Sequence, residues 1–153
     1  MKRIRFALLL AFIAGLDAPP ARSQGDARAL WIDVIRNPLQ EPSGLEYFEN
    51  TLKDAILPGG VNGIREFRGT VLSAKPADAP SEFVVAVFNP TTPEVTLVLK
   101  QAGKVAQLAR PVPPGAVVYF SGVPKAFTQK PFMLTMDVDI DNLGIARFTE
   151  LVE

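Results

Sequence analysis

The sequence contains no histidine and no cysteine. Without imidazole there is no Ser-His-Asp triad and no histidine base. Without thiols there is no disulfide, no zinc finger, no haem attachment and no cysteine nucleophile. An excess of one charge is also missing: 16 basic residues face 16 acidic ones, so no basic field announces a nucleic-acid partner. No internal repeat appears at a period of about 20–50 residues, which excludes a solenoid. The longest apolar run covers 11 residues, Phe6 to Leu16, about half of what a spanning helix needs. What is present is a chain of 153 residues, one domain's worth, with 48% hydrophobic and 21% charged residues, close to the globular average.

The first 23 residues read as an export address. Lys2, Arg3 and Arg5 precede the apolar run, and Asp17, Pro19 and Pro20 break any helix after it. Ala21 and Ser23 are small residues at the −3 and −1 positions of a cut before Gln24. This is the layout of a cleaved secretory signal peptide. It predicts an exported chain, periplasmic or secreted, with no membrane span after cleavage. Cleavage removes four basic residues (Lys2, Arg3, Arg5, Arg22) and Asp17, leaving 12 basic and 15 acidic residues, a net charge of −3.

Residues 24–66 read as a helical segment. Asp26 is placed to cap a helix from Ala27 to Arg36, with Leu30, Trp31, Val34 and Ile35 on one face. Pro38 and Pro42 stop it. Ser43-Gly44-Leu45-Glu46 matches a capping box opening a second helix. Its apolar stripe is Leu45, Phe48, Leu52, Ile56 and Leu57, and Pro58-Gly59-Gly60 ends it. A helix this short needs a sheet to lie on.

Residues 67–153 then change period. Strands are predicted at Phe67–Ser73, Phe83–Phe88, Glu94–Lys100, Ala116–Ser121 and Phe132–Ile140, with a short sixth at Ala146–Val152. Phe83–Phe88 is apolar on both faces, the pattern of a central strand. In the fifth, Phe132, Leu134, Met136, Val138 and Ile140 share one face. Nine of the 14 prolines fall between these strands, where a residue without an N–H does no harm. The fold class expected is mainly β with short N-terminal helices: a small five- to six-stranded OB-like β-barrel.

The stretch Gly69-Thr70-Val71-Leu72-Ser73, and later Pro113-Pro114-Gly115-Ala116-Val117-Val118-Tyr119-Phe120-Ser121-Gly122, resembles an OB-fold domain of the tRNA-anticodon-like, exported bacterial kind. Gly115 and Gly122 stand where that class carries glycines before and after its fourth strand. A narrower set is similar to the C-terminal domain of some exported tetratricopeptide-repeat proteins. It comprises Trp31, Gly69–Ser73, Pro114-Gly115-Ala116, Gly122-Val123 and Pro131-Phe132-Met133-Leu134-Thr135-Met136. This chain has no repeat region. The resemblance implies a scaffold role and brings no catalytic residues to carry over; no cofactor is expected.

Three groups are candidates for function. Val123–Phe132 reads as the loop between the fourth and fifth strands, flanking the ligand groove of OB-folds. Phe127 in it is either an aromatic contact for a partner or a plug folded back on the barrel end. Tyr119, Lys125 and Lys130 complete this candidate partner-binding face, and an envelope protein is the partner expected. Asp137, Asp139 and Asp141 form the densest acidic cluster. They are either ligands of a divalent cation or a solvated strand face running into a turn. The cluster starts like an EF-hand loop, but Asn142 replaces the glycine at position 6 and Phe148 the glutamate at position 12. Lys100, Lys104 and Arg110 add charge to the later turns, yet export and the net negative charge argue against nucleic acid. Trp31 reads as a packing anchor. No serine stands in S-x-x-K spacing, and no carboxylate pair stands out, so no catalytic residue is assigned. The function expected is that of an exported, non-enzymatic binding module, with a small-ligand or cation binder and, behind it, a small hydrolase as the alternatives.

Overall fold

The structure, a computed structural model, describes residues 24–146. It opens with one helical run in three parts: α1 (Gln24–Leu30), a π-helical segment (Trp31–Arg36) and α2 (Asn37–Gln40). Asp26, expected as a cap, lies inside α1 rather than before it. Pro38, expected to stop the helix, sits in the first turn of α2. The reason is local. Proline has no N–H, so at position 38 of an α-helix it leaves the Val34 carbonyl without its donor. The π turn shifts the hydrogen-bond register just there, and the Asn37 N–H bonds to the Ile32 carbonyl. The Tyr47 hydroxyl donates to Val34 O at 2.6 Å.

The second helix is shorter than its apolar stripe predicts. α3 (Gly44–Tyr47) passes into a π-helical segment, Phe48–Leu52, and the helix ends there. Asp54 takes a left-handed φ of 66°, which turns the chain out. Ser43 makes no side-chain capping bond. Phe48, Leu52 and Leu57 are buried, whereas Leu45 and Ile56 are about half exposed. Leu57 has left the helix altogether: it exchanges two backbone hydrogen bonds of 2.9 Å with Gly122.

Among the described residues eight strands follow: β1 (Phe67–Lys75), β2 (Glu82–Val87), β3 (Val95–Gln101), β4 (Lys104–Val105), β5 (Val117–Phe120), β6 (Val123–Thr128), β7 (Met133–Asp139) and β8 (Leu143–Ile145). The five main expected strands are all there, as β1, β2, β3, β5 and β7. β4, β6 and β8 are additional to those the pattern predicts. The expected strand at Ala146–Val152 lies outside the described residues except for Ala146. The stretch from Val123, expected to be a loop, is strand as far as Thr128. Pro124 stands within this strand, although proline lacks the N–H that a ladder uses. It is tolerated because the ladder to β7 is irregular between Pro124 and Ala126, a bulge that spares the missing donor.

The chain is mainly β, its strands joined in one sheet ordered β6-β7-β3-β2-β1-β5-β8, with β4 beside β3. β1, β2 and β3 form an antiparallel meander. β3 and β7 are parallel, with Leu97 opposite Met136 and Leu99 opposite Val138. β5 is antiparallel to β1, and β6 antiparallel to β7. β5 and β6 therefore lie near opposite ends of the order although only Ser121 and Gly122 separate them in sequence. β2 is central, as its doubly apolar pattern predicts.

One apolar cluster runs from Ala27 on the first helix to Val138 on β7. Trp31 is fully buried and meets Phe67 edge-on, ring centroids 5.1 Å apart. Phe67 in turn touches Phe88 and Phe120. The helices are thus fastened to the sheet through aromatic contacts worth about 0.5–1.5 kcal/mol per pair beyond area burial.

Candidate functional site

Glu94 is 4% exposed, the buried charged side chain among the described residues. Its backbone is fixed on both sides: its N–H bonds to Val85 O at 3.0 Å, and its carbonyl accepts from Leu134 N at 3.0 Å. A buried carboxylate is costly unless its lone pairs are filled and its charge is met. Both conditions hold. Oε1 accepts from Trp31 Nε1 at 2.9 Å and from Arg36 Nε at 2.9 Å. Oε2 accepts from Arg36 Nη2 at 2.8 Å and from Asn89 Nδ2 at 2.9 Å. The Arg36 pair is the bidentate fork that makes such bonds strong.

The helix geometry makes this possible. Residues five apart in an α-helix point about 140° away from each other. Trp31 and Arg36 both lie in the π-helical segment, whose i→i+5 register brings them to one side. Asn89 is held by its own turn. Its Oδ1 accepts from the N–H groups of Thr91 at 2.9 Å and Thr92 at 2.6 Å. Its Nδ2 also reaches Val87 O and Thr92 O.

Above this group opens a cavity of about 280 Å³, lined by Arg36, Gln40, Asn89, Thr92, Pro93, Glu94 and Phe132. A second, of about 220 Å³, shares Asn89 and is lined also by Arg68, Gly69, Thr70, Phe88 and Pro90. The sequence carried little signal for this site. Glu94 reads as a strand start and Arg36 as a helix end, and only a π turn joins them.

The residues singled out from sequence are placed as follows. Phe127 stands on β6, half-buried, with its ring 5.8 Å from Phe48 and 5.3 Å from Phe132. Lys125 is exposed and pairs with Asp54 at 2.9 Å. Lys130 is exposed in the turn before β7. In the same turn the Gln129 amide donates to Leu39 O at 3.1 Å and Glu41 O at 2.7 Å, latching β6–β7 to the end of α2. Tyr119 is not brought to this group: it is half-buried on β5, opposite Arg68 of β1 and Gly144 of β8. Asp137 is half-buried on β7, and Asp139 and Asp141 are exposed. The Asp139 carboxylate accepts the Asp141 N–H at 2.9 Å and so caps a single 3₁₀ turn, Ile140–Asn142. Among the described residues no three acidic side chains gather closely enough to hold a metal ion. Nor is any described helix long and apolar enough to cross a membrane.

No family model matches this sequence, and neither the curated proteins nor the solved structures yield a match.

Proposed function

We propose that this chain is an exported, non-enzymatic binding module that docks an envelope protein on β6 and the β6–β7 turn. The observation that carries the reading is the placement of two exposed lysines, Lys125 and Lys130, around the half-buried ring pair of Phe127 and Phe132. An apolar patch rimmed by charge is the usual make-up of a protein contact, and since Lys125 is already paired with Asp54 it is Lys130 that favours an acidic partner segment. The strand path supports an OB-like barrel as the scaffold. It has an antiparallel β1–β2–β3 meander and a parallel β3–β7 pair. β5 and β6 would act as one strand bent at Gly122, bonded to β1 at one end and β7 at the other. Export rests on the leader-like residues 1–23.

The test is capture from envelope extract by immobilised protein starting at Gln24. Lys130 has no ion-pair partner among the described residues, so Lys130→Glu alters the surface and not the core. The reading expects one protein retained near one-to-one and lost with Lys130→Glu at unchanged thermal stability. Retention that ignores the charge reversal overturns it.

A further inference from the structure

The cavity over Glu94 has an uneven hydrogen-bonding capacity. A carboxylate offers about four acceptor positions. Glu94 has four donors on it, two per oxygen, so it has none left. The Asn89 oxygen already takes two N–H groups, and its amide nitrogen serves three acceptors. Arg36 is different. A guanidinium carries five N–H donors in a rigid plane. Two of them hold Glu94, and the other three find no acceptor among the described residues. The Arg36 side chain is 26% exposed and lines the cavity, as does Gln40, whose amide makes no hydrogen bond there. Phe132 and Pro93 supply apolar wall.

We infer that this cavity is a binding site for the carboxylate of a small apolar amino-acid unit. The remaining edge of Arg36 is a planar pair of donors, which matches a carboxylate in bidentate fashion. Phe132 and Pro93 take the apolar part, and Gln40 serves as an adaptable donor at the rim. At about 280 Å³ the cavity is just smaller than the roughly 300–1,000 Å³ of ligand pockets, which limits its occupant to about one amino-acid unit. Glu94 behind the guanidinium offsets much of its charge, so half-saturation is expected around the millimolar range, the scale of a few hydrogen bonds. The unit is either a free small molecule or the C-terminal residue of a peptide; both present the same carboxylate. The cavity shares Phe132 with the docking face proposed above, but its polar groups, Arg36 and Gln40, are no part of that face.

The molecule carries its own reporter. Trp31 is the one tryptophan of the sequence, and its indole N–H is bonded to the carboxylate that Arg36 grips. The full mature chain would be titrated with N-acetyl-phenylalanine and with its primary amide while the indole N–H resonance is followed by NMR. The same is done with the tripeptide Ala-Ala-Phe, free and C-terminally amidated, and with inorganic phosphate. A saturable shift with the free acids, at least about tenfold weaker with the amides, is the expected result. Acetylated amino acid alone marks a small-molecule site; equal or better binding by the tripeptide marks a chain-end site. Gln40→Ala should weaken binding several-fold without moving the melting temperature. Arg36→Lys, which keeps charge but loses the fork, should abolish it. No saturable shift with any acid overturns the inference. So does a shift equal for acid and amide, or one that phosphate reproduces at the same concentration.

Discussion

The hydroxyl of Tyr47 donates a 2.6 Å hydrogen bond to the carbonyl of Val34, the acceptor that Pro38 would serve in an α-helix if it had an N–H. A residue on the second helix thereby repairs the first. Tyr47→Phe removes only this donor. The expected cost is about 1–2 kcal/mol, because the carbonyl is part-buried and loses a partner. Urea denaturation at neutral pH measures it, and an unchanged midpoint would show that water replaces the hydroxyl without loss.

The same contact sets a pH dependence. Burial raises the Tyr47 hydroxyl from 10.0 to about 12. In the unfolded chain it ionises near its ordinary value of about 10. Between those two values the unfolded state binds fewer protons than the folded one, so stability falls as pH rises. The contribution is whole below pH about 10 and fades toward 12. The comparison with Tyr47→Phe isolates the part that belongs to this hydroxyl. The wild type should lose stability more steeply with pH than the variant over this window.

Glu94 predicts a larger effect. Glu94→Gln keeps the shape but turns one acceptor into a donor facing donors, and leaves Arg36 without its counter-charge. Breaking a buried pair typically costs about 3–5 kcal/mol. Arg36 is 26% exposed and recovers some hydration, so the lower end, about 3 kcal/mol, is expected. Combining it with Arg36→Met should cost clearly less than the two single changes added together, since the orphaned charge is then gone. Strict additivity in urea denaturation would mean that the pair carries no coupling.

These contacts also show what is legible in a sequence. Period-two runs such as Phe132–Ile140 announce their strand, because one face must be apolar to reach the core. Trp31 announces itself as a core anchor for the same reason. Short strands escape: β4 has two residues and β8 three, too few for any period. β6 escapes because Pro124 reads as a breaker, and only the bulge beside it makes the strand tolerable. The Glu94 site escapes for a deeper reason. Trp31, Arg36, Asn89 and Glu94 come together through a π turn and an Asx turn, and neither leaves a periodic trace.

Gly122 is the hinge between β5 and β6, and it has no room for a side chain. A Cβ there would lie 2.5 Å from the backbone oxygen of Asp137 and 2.9 Å from Val138 Cγ2. The oxygen belongs to β7, so it cannot turn away as a side chain would. On its other side Gly122 exchanges two hydrogen bonds with Leu57, which closes that route of relief. Gly122→Ala should therefore push β6 from β7 and cost about 1–3 kcal/mol, as overpacking does. Gly115→Ala is the control: it has a φ of +94° but no atom within 4 Å of the added carbon. Its cost comes from backbone strain alone, about 1 kcal/mol. Hydrogen exchange separates the two mechanisms. The Leu57 N–H, bonded to Gly122 O, should exchange faster than global stability requires in Gly122→Ala, and in step with it in Gly115→Ala. Equal exchange at Leu57 in both variants would mean that the Gly122 crowding relaxes through the whole fold and that the bend between β5 and β6 is not a local weak point.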